Sequence, residues 1–72
     1  LDNMKNKISE RLKNLLNEEN ITVNKLAADL NVSNSVVYYW VQGKTTPGAD
    51  YIMAIASYFN VSSDYLLGLT DI

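Results

Sequence analysis

The chain contains no cysteine and no histidine. Disulfides are therefore excluded, the usual zinc sites lose their two commonest ligands, and the commonest general base is missing. Without a plausible activator for any nucleophile, and with no convincing Ser–Lys or carboxylate pair, an enzyme is not expected. Neither a cofactor nor a metal is implied. Apolar runs long enough to span a bilayer are absent, and so is any signal-peptide pattern. A cytoplasmic setting away from membranes is the expected one. Low-complexity sequence is missing, as is any stretch alternating with period two for long enough to form a strand.

Cations are scarce as well. Six Lys and Arg face eight Asp and Glu, giving a net charge of −2 and an isoelectric point near 4.7. That balance argues against a generic nucleic-acid coat, which is basic throughout. Distribution matters more than the sum. Lys5, Lys7, Arg11 and Lys13 gather in one segment, while Lys25 and Lys44 stand alone further on.

What is present is punctuation. Asn20-Ile21-Thr22, Asn31-Val32-Ser33 and Asn60-Val61-Ser62 repeat one pattern. Asn tolerates the left-handed conformation that closes a helix. Ser or Thr then offers a side-chain oxygen to the free N–H groups that open the next one. The apolar residue between them can pack back onto the helix just finished. The same triplets match the glycosylation acceptor pattern, a reading without support in a chain that nothing marks as secreted. Helices joined by about three residues cross steeply, as in a helix-turn-helix.

Seventy-two residues, 47% of them hydrophobic, make one small domain near the lower limit for folding without staples. Ile8, Leu12, Leu15 and Leu16 recur at helical spacing within about 5–17. Leu26, Ala27 and Leu30 do so in 23–30, capped by Thr22. The third helix is expected over 34–42, between Ser33 as cap and Gly43 as terminator. Gly43 to Gly48, with Pro47, reads as a loop. Ile52, Ile55, Ala56 and Phe59 mark a fourth helix over 49–59, and 63–67 a short fifth ending at Gly68. The fold class is all-α, with five helices. Asp50 and Asp64 fall in first turns, where the helix dipole favours acid; Glu18 and Glu19 lie at the unfavourable end of the first helix.

At about 100° per residue, the third helix has two faces. Val36, Val37 and Trp40, flanked by Val41, belong to the core. Ser35, Tyr38 and Gln42 face the other way, with Asn34 and Tyr39 on the shoulders. This second face carries hydrogen-bonding groups and almost no charge, as a base-reading surface does. Asn34 can pair a donor and an acceptor with an adenine edge, and Ser35 can bond to any base. Tyr38 and Tyr39 can meet thymine methyls with their rings. The alternative for two exposed tyrosines is a protein interface. Thr22 and Ser33, at helix openings, together with Lys25, Lys44, Thr45 and Thr46, are candidate phosphate ligands.

With those residues placed, the chain resembles the Cro and phage-repressor-like (XRE-like) helix-turn-helix family over about residues 8–71. The resemblance rests on Ile21-Thr22, Lys25-Leu26-Ala27, Val32-Ser33 with Ser35, Trp40, Gly43-Lys44 with Pro47, and Val61-Ser62 with Asp64-Tyr65-Leu66-Leu67-Gly68. It implies a compact lambda-repressor-like domain over 5–70 after a tail of residues 1–4, either alone or as the N-terminal part of a longer regulator. The helix-turn-helix would lie at helices two and three. The implied function is operator binding as a homodimer on double-stranded DNA, with repression the family's habit. By the resemblance Asn34, Ser35, Tyr38 and Tyr39 take base-contacting positions, and Gln42 and Lys44 backbone-contacting ones. Tyr65, Leu66, Leu69 and Ile72 are candidates for the dimer interface, with ordinary core as the alternative.

Two departures bear on function. Val23 stands where relatives carry a phosphate-binding Gln, which removes one anchor. Leu16 and Val41 stand where many relatives pair Arg with Glu across the first and third helices. Exchanging both partners for hydrocarbon avoids a stranded charge and predicts contact between Leu16 and Val41. A second reading is a protein-interaction module on the same fold with little DNA affinity.

Overall fold

The computed structural model describes residues 4–72, with side chains from Lys7 onward. Five helices follow in order: α1 (Met4–Glu19), α2 (Val23–Leu30), α3 (Asn34–Gln42), α4 (Ala49–Phe59) and α5 (Ser63–Leu67). The last four end where the sequence places them. The first runs past Asn17 because nothing stops it before Asn20, the first of the described residues with positive φ. Of the expected 1–4 tail, Met4 already opens α1, and 1–3 lie outside the described residues.

All three triplets adopt one geometry. Asn20, Asn31 and Asn60 are left-handed, with φ of 57°, 61° and 58°. The next residue reaches back five positions: Ile21 N–H to the Leu16 carbonyl at 2.9 Å, Val32 to Ala27 at 3.0 Å, and Val61 to Ala56 at 2.9 Å. This is the six-to-one bond of a Schellman closure. Gly43 and Gly68 close α3 and α5 in the same way, at φ 75° and 78°, with Lys44 and Leu69 as the reaching residues. Ile21, Val32 and Val61 then pack against the core. Thr22, Ser33 and Ser62 accept from the N–H groups of Lys25, Val36 and Tyr65 at 3.0, 3.4 and 3.0 Å.

The core is one cluster. Ile8, Leu12, Leu15 and Leu16 of α1 meet Leu26, Ala27, Val37, Trp40, Ile52, Ile55, Ala56, Phe59 and Leu66. Leu16 is buried and Val41 is half-buried against that cluster. Leu66 is fully buried, which corrects its assignment to a dimer surface: a side chain enclosed by its own core has nothing to offer a second copy. Among the described residues, no helix is long and apolar enough to cross a membrane.

Among the described side chains, two polar ties join one helix to another, and neither was visible in the periodicity. The buried Ser9 hydroxyl donates to the Val41 carbonyl, satisfying an acceptor in the last turn of α3 that the helix itself leaves open. It links α1 to α3 with a neutral bond. Tyr58 of α4 donates to the Asp29 carboxylate of α2 at 2.6 Å. That bond, helped by Lys25, holds Asp29 below the usual carboxylate range, and reciprocally raises the Tyr58 phenol.

Candidate nucleic-acid interface

The third helix is set by its inner side. Val37 is fully buried and Trp40 nearly so. Trp40 also packs against Tyr51 of α4 at a ring separation of 5.3 Å. With Val36 and Val41 half-buried on either side, the rotation of α3 has little freedom. Its outer side then follows: Asn34, Ser35, Tyr38, Tyr39 and Gln42 are all exposed. Tyr38 and Tyr39 keep 48% and 46% of their surface, high values for aromatic residues in so small a domain.

The candidate backbone ligands sit at the start of α2, on the cap and last turn of α3 and in the loop that follows it. Thr22 and Ser33 are exposed N-caps. Each cap uses a lone pair of its hydroxyl oxygen, so each O–H remains a donor for an anion. Thr45 and Thr46 are exposed in the loop after α3, while Pro47 beneath them is buried and fixes the loop to the body. Lys44 has its ammonium 5.6 Å from the Tyr39 ring centroid. Lys25 is paired instead with Asp29 one turn along, at 3.3 Å, so part of its charge is spent within α2.

The α1 cations contribute unequally. Arg11 lies 4.3 Å over the Tyr65 ring and 3.5 Å from Asp71, its side chain only 13% exposed. It secures the C-terminal segment and is not a surface cation. Lys7 and Lys13 are exposed, and the side chain of Lys5 lies outside the described ones. Of the dimer candidates, Tyr65 has one ring face on Arg11, whereas Leu69 and Ile72 are 70% and 90% exposed.

One signal in the sequence gains meaning only here. No carboxylate falls between Asp29 and Asp50, so the turn, α3 and the following loop form an acid-free stretch within an acidic chain. Lys44, Thr45 and Thr46 lie within that stretch, whereas Lys25, just before it, is paired with Asp29. A phosphate backbone carries about one charge per 1.7 Å of duplex, and acid-free surface is what tolerates it.

The comparisons agree with this geometry. The family described as "Helix-turn-helix" matches residues 12–66, which takes in α2, α3, the loop, α4 and most of α5. The HTH-type transcriptional activator BcrR of Enterococcus faecalis is 34% identical over 59 residues, covering 82% of this chain. The chain spans 29% of that relative's length. No solved structure gives a significant match. A capped α2–turn–α3 unit with an outward polar face, inside a matched region of that extent, places this chain in the Cro and phage-repressor-like (XRE-like) helix-turn-helix DNA-binding family.

Proposed function

We propose that this domain reads operator DNA for a transcription regulator, with α3 in the major groove and two copies on an inverted repeat. The observation that carries the reading is the outer face of α3, polar, exposed and acid-free, held in register by Val37 and Trp40. Asn34, Ser35 and Tyr38 contact base edges. Gln42, Lys44, Thr45, Thr46, Thr22, Ser33 and Lys25 contact phosphates. Val23 leaves the family's usual anchor at the start of α2 unfilled.

Size supports two copies. The longest extent of the molecule is 29 Å, slightly less than the roughly 34 Å between half-sites one helical turn apart. Two copies therefore fit side by side on such a site, and Leu69 and Ile72 supply exposed apolar surface for a contact between them. Their covering the dimer contact is part of the proposal. The resemblance implies repression by occlusion, while the matched relative is named an activator. The sign of regulation follows from where the operator lies relative to the promoter, and a reporter assay reads it.

Selection from a randomised duplex pool at low salt tests the reading. The expected winner is an inverted repeat, bound with a salt slope of about −0.9 per phosphate neutralised. With Lys25 and Lys44 as the cations at this face, the slope should be near −2 per copy. A folded sample that enriches nothing favours the protein-interaction reading, which the acidic net charge and Val23 support.

A further inference from the structure

Tyr38 and Tyr39 are adjacent, so they leave α3 about 100° apart. Ser35 and Gln42 lie between them on the helical wheel, and the tyrosines stand on opposite flanks. Their surroundings differ. Tyr39 is joined to the loop in two ways. Its carbonyl accepts from Lys44 N–H at 2.9 Å and from Thr45 N–H at 3.4 Å. Its ring lies under the Lys44 ammonium at 5.6 Å, within the range of a cation–π attraction.

From this difference we infer that Tyr39 is a positioning residue, holding the Lys44 ammonium toward the phosphate wall of the groove, while Tyr38 on the other flank reads sequence. The assignment rests on the operator-binding reading above and revises the expectation that both tyrosines contact bases. A ring whose face carries a cation destined for phosphate is tied to the edge of the groove. Without the ring, the flexible four-carbon stem of Lys44 must be ordered at the moment of binding. With it, much of that ordering is already present in the free protein.

The role depends on the ring of Tyr39 and not on its hydroxyl, and this makes it testable. In the DNA-free protein, proton NMR should show the Lys44 ε-methylene shifted upfield by the ring current in wild type and Tyr39→Phe, but not in Tyr39→Leu. On DNA, base preferences from the randomised pool should be the same for wild type and Tyr39→Phe, and altered for Tyr38→Ala. Tyr39→Leu should weaken the selected duplex and a random duplex by the same factor, about two- to fivefold. Lys44→Ala should then cost less in the Tyr39→Leu background than in wild type, as coupled residues do.

A changed base preference in Tyr39→Phe overturns the assignment. So does an unshifted Lys44 methylene, or strict additivity of the two losses. If wild type itself enriches no duplex, operator reading has failed and the positioning role falls with it. That outcome is distinct from one in which wild type binds but Tyr39→Phe alters its preferences.

Discussion

The joints at Asn31-Val32-Ser33 and Asn60-Val61-Ser62 are nearly superimposable in their chemistry. Their asparagines have φ of 61° and 58°, and each donates three residues back at 3.2 Å. Their serines cap the following helix. Yet α3 presents five exposed polar or aromatic side chains along nine residues, whereas the five residues of α5 are centred on the fully buried Leu66. One local device precedes a helix with an exposed polar face in one place and a core plug in the other. The joint is a matter of backbone sterics and capping; the role of the helix that follows is decided by what its outer face carries.

That comparison can be broken, and the largest effect should come from the core. Leu66→Ala is expected to destabilise the domain by about 2–5 kcal/mol. Tyr38→Ala, on the exposed side of α3, should stay within about 0.5 kcal/mol. Urea titration of both variants decides it, and a Leu66→Ala domain as stable as wild type would show α5 to be peripheral after all. Next comes the residue that follows each cap. Asn34→Ala should forfeit about 1–3 kcal/mol of operator discrimination, while Ser63→Ala, its counterpart on α5, should leave the base profile intact. Equal effects would erase the distinction between the two helices.

The caps themselves should be alike. Ser33→Ala and Ser62→Ala are each expected to cost about 1 kcal/mol of stability, read by thermal unfolding. Only Ser33→Ala should also weaken DNA binding. Ser62 has a second partner, donating to the Ile72 carbonyl at 3.2 Å, so its replacement should also loosen the C-terminal segment in hydrogen exchange.

The smallest expected effect lies outside both joints, at the exposed tie between Asp29 of α2 and Tyr58 of α4. The lowered Asp29 value means its contribution is present above about pH 4 and fades as pH falls through the native value. The raised Tyr58 value means its contribution is complete below about pH 10 and fades as pH rises through the native value. Tyr58→Phe should flatten both limbs of the melting temperature against pH. Superimposable profiles for the two proteins would show that the tie adds nothing to stability.

Much of this was legible in advance because the signals are local. Asn before an apolar residue before Ser or Thr encodes a stop, a packing contact and a start within three residues, so both ends of α2, the start of α3, the end of α4 and the start of α5 could be placed from the sequence. Glu18 and Glu19 extend α1 against the dipole, and nothing in the structure explains them. The two faces of α3 were readable because Val37 and Trp40 recur at helical spacing. Leu66 was not: in a helix of five residues, spacing does not distinguish a core plug from an interface. Nor did Arg11 announce itself as a tie to the C-terminal segment, because its partners Tyr65 and Asp71 are far along the chain.

By itself the sequence determined the helices, their closures and the polar face of α3, since each depends on backbone preference and the order of side chains over one or two turns. Only the tertiary structure decided that Ser9 serves Val41, that Tyr58 serves Asp29, that Arg11 is withdrawn from the surface, and that Tyr39 and not Tyr38 carries the Lys44 ammonium. Periodicity says which way a side chain points from its own helix. Which group stands opposite depends on how the helices settle around Leu12, Leu26, Val37 and Leu66, and that is a property of the packed core as a whole.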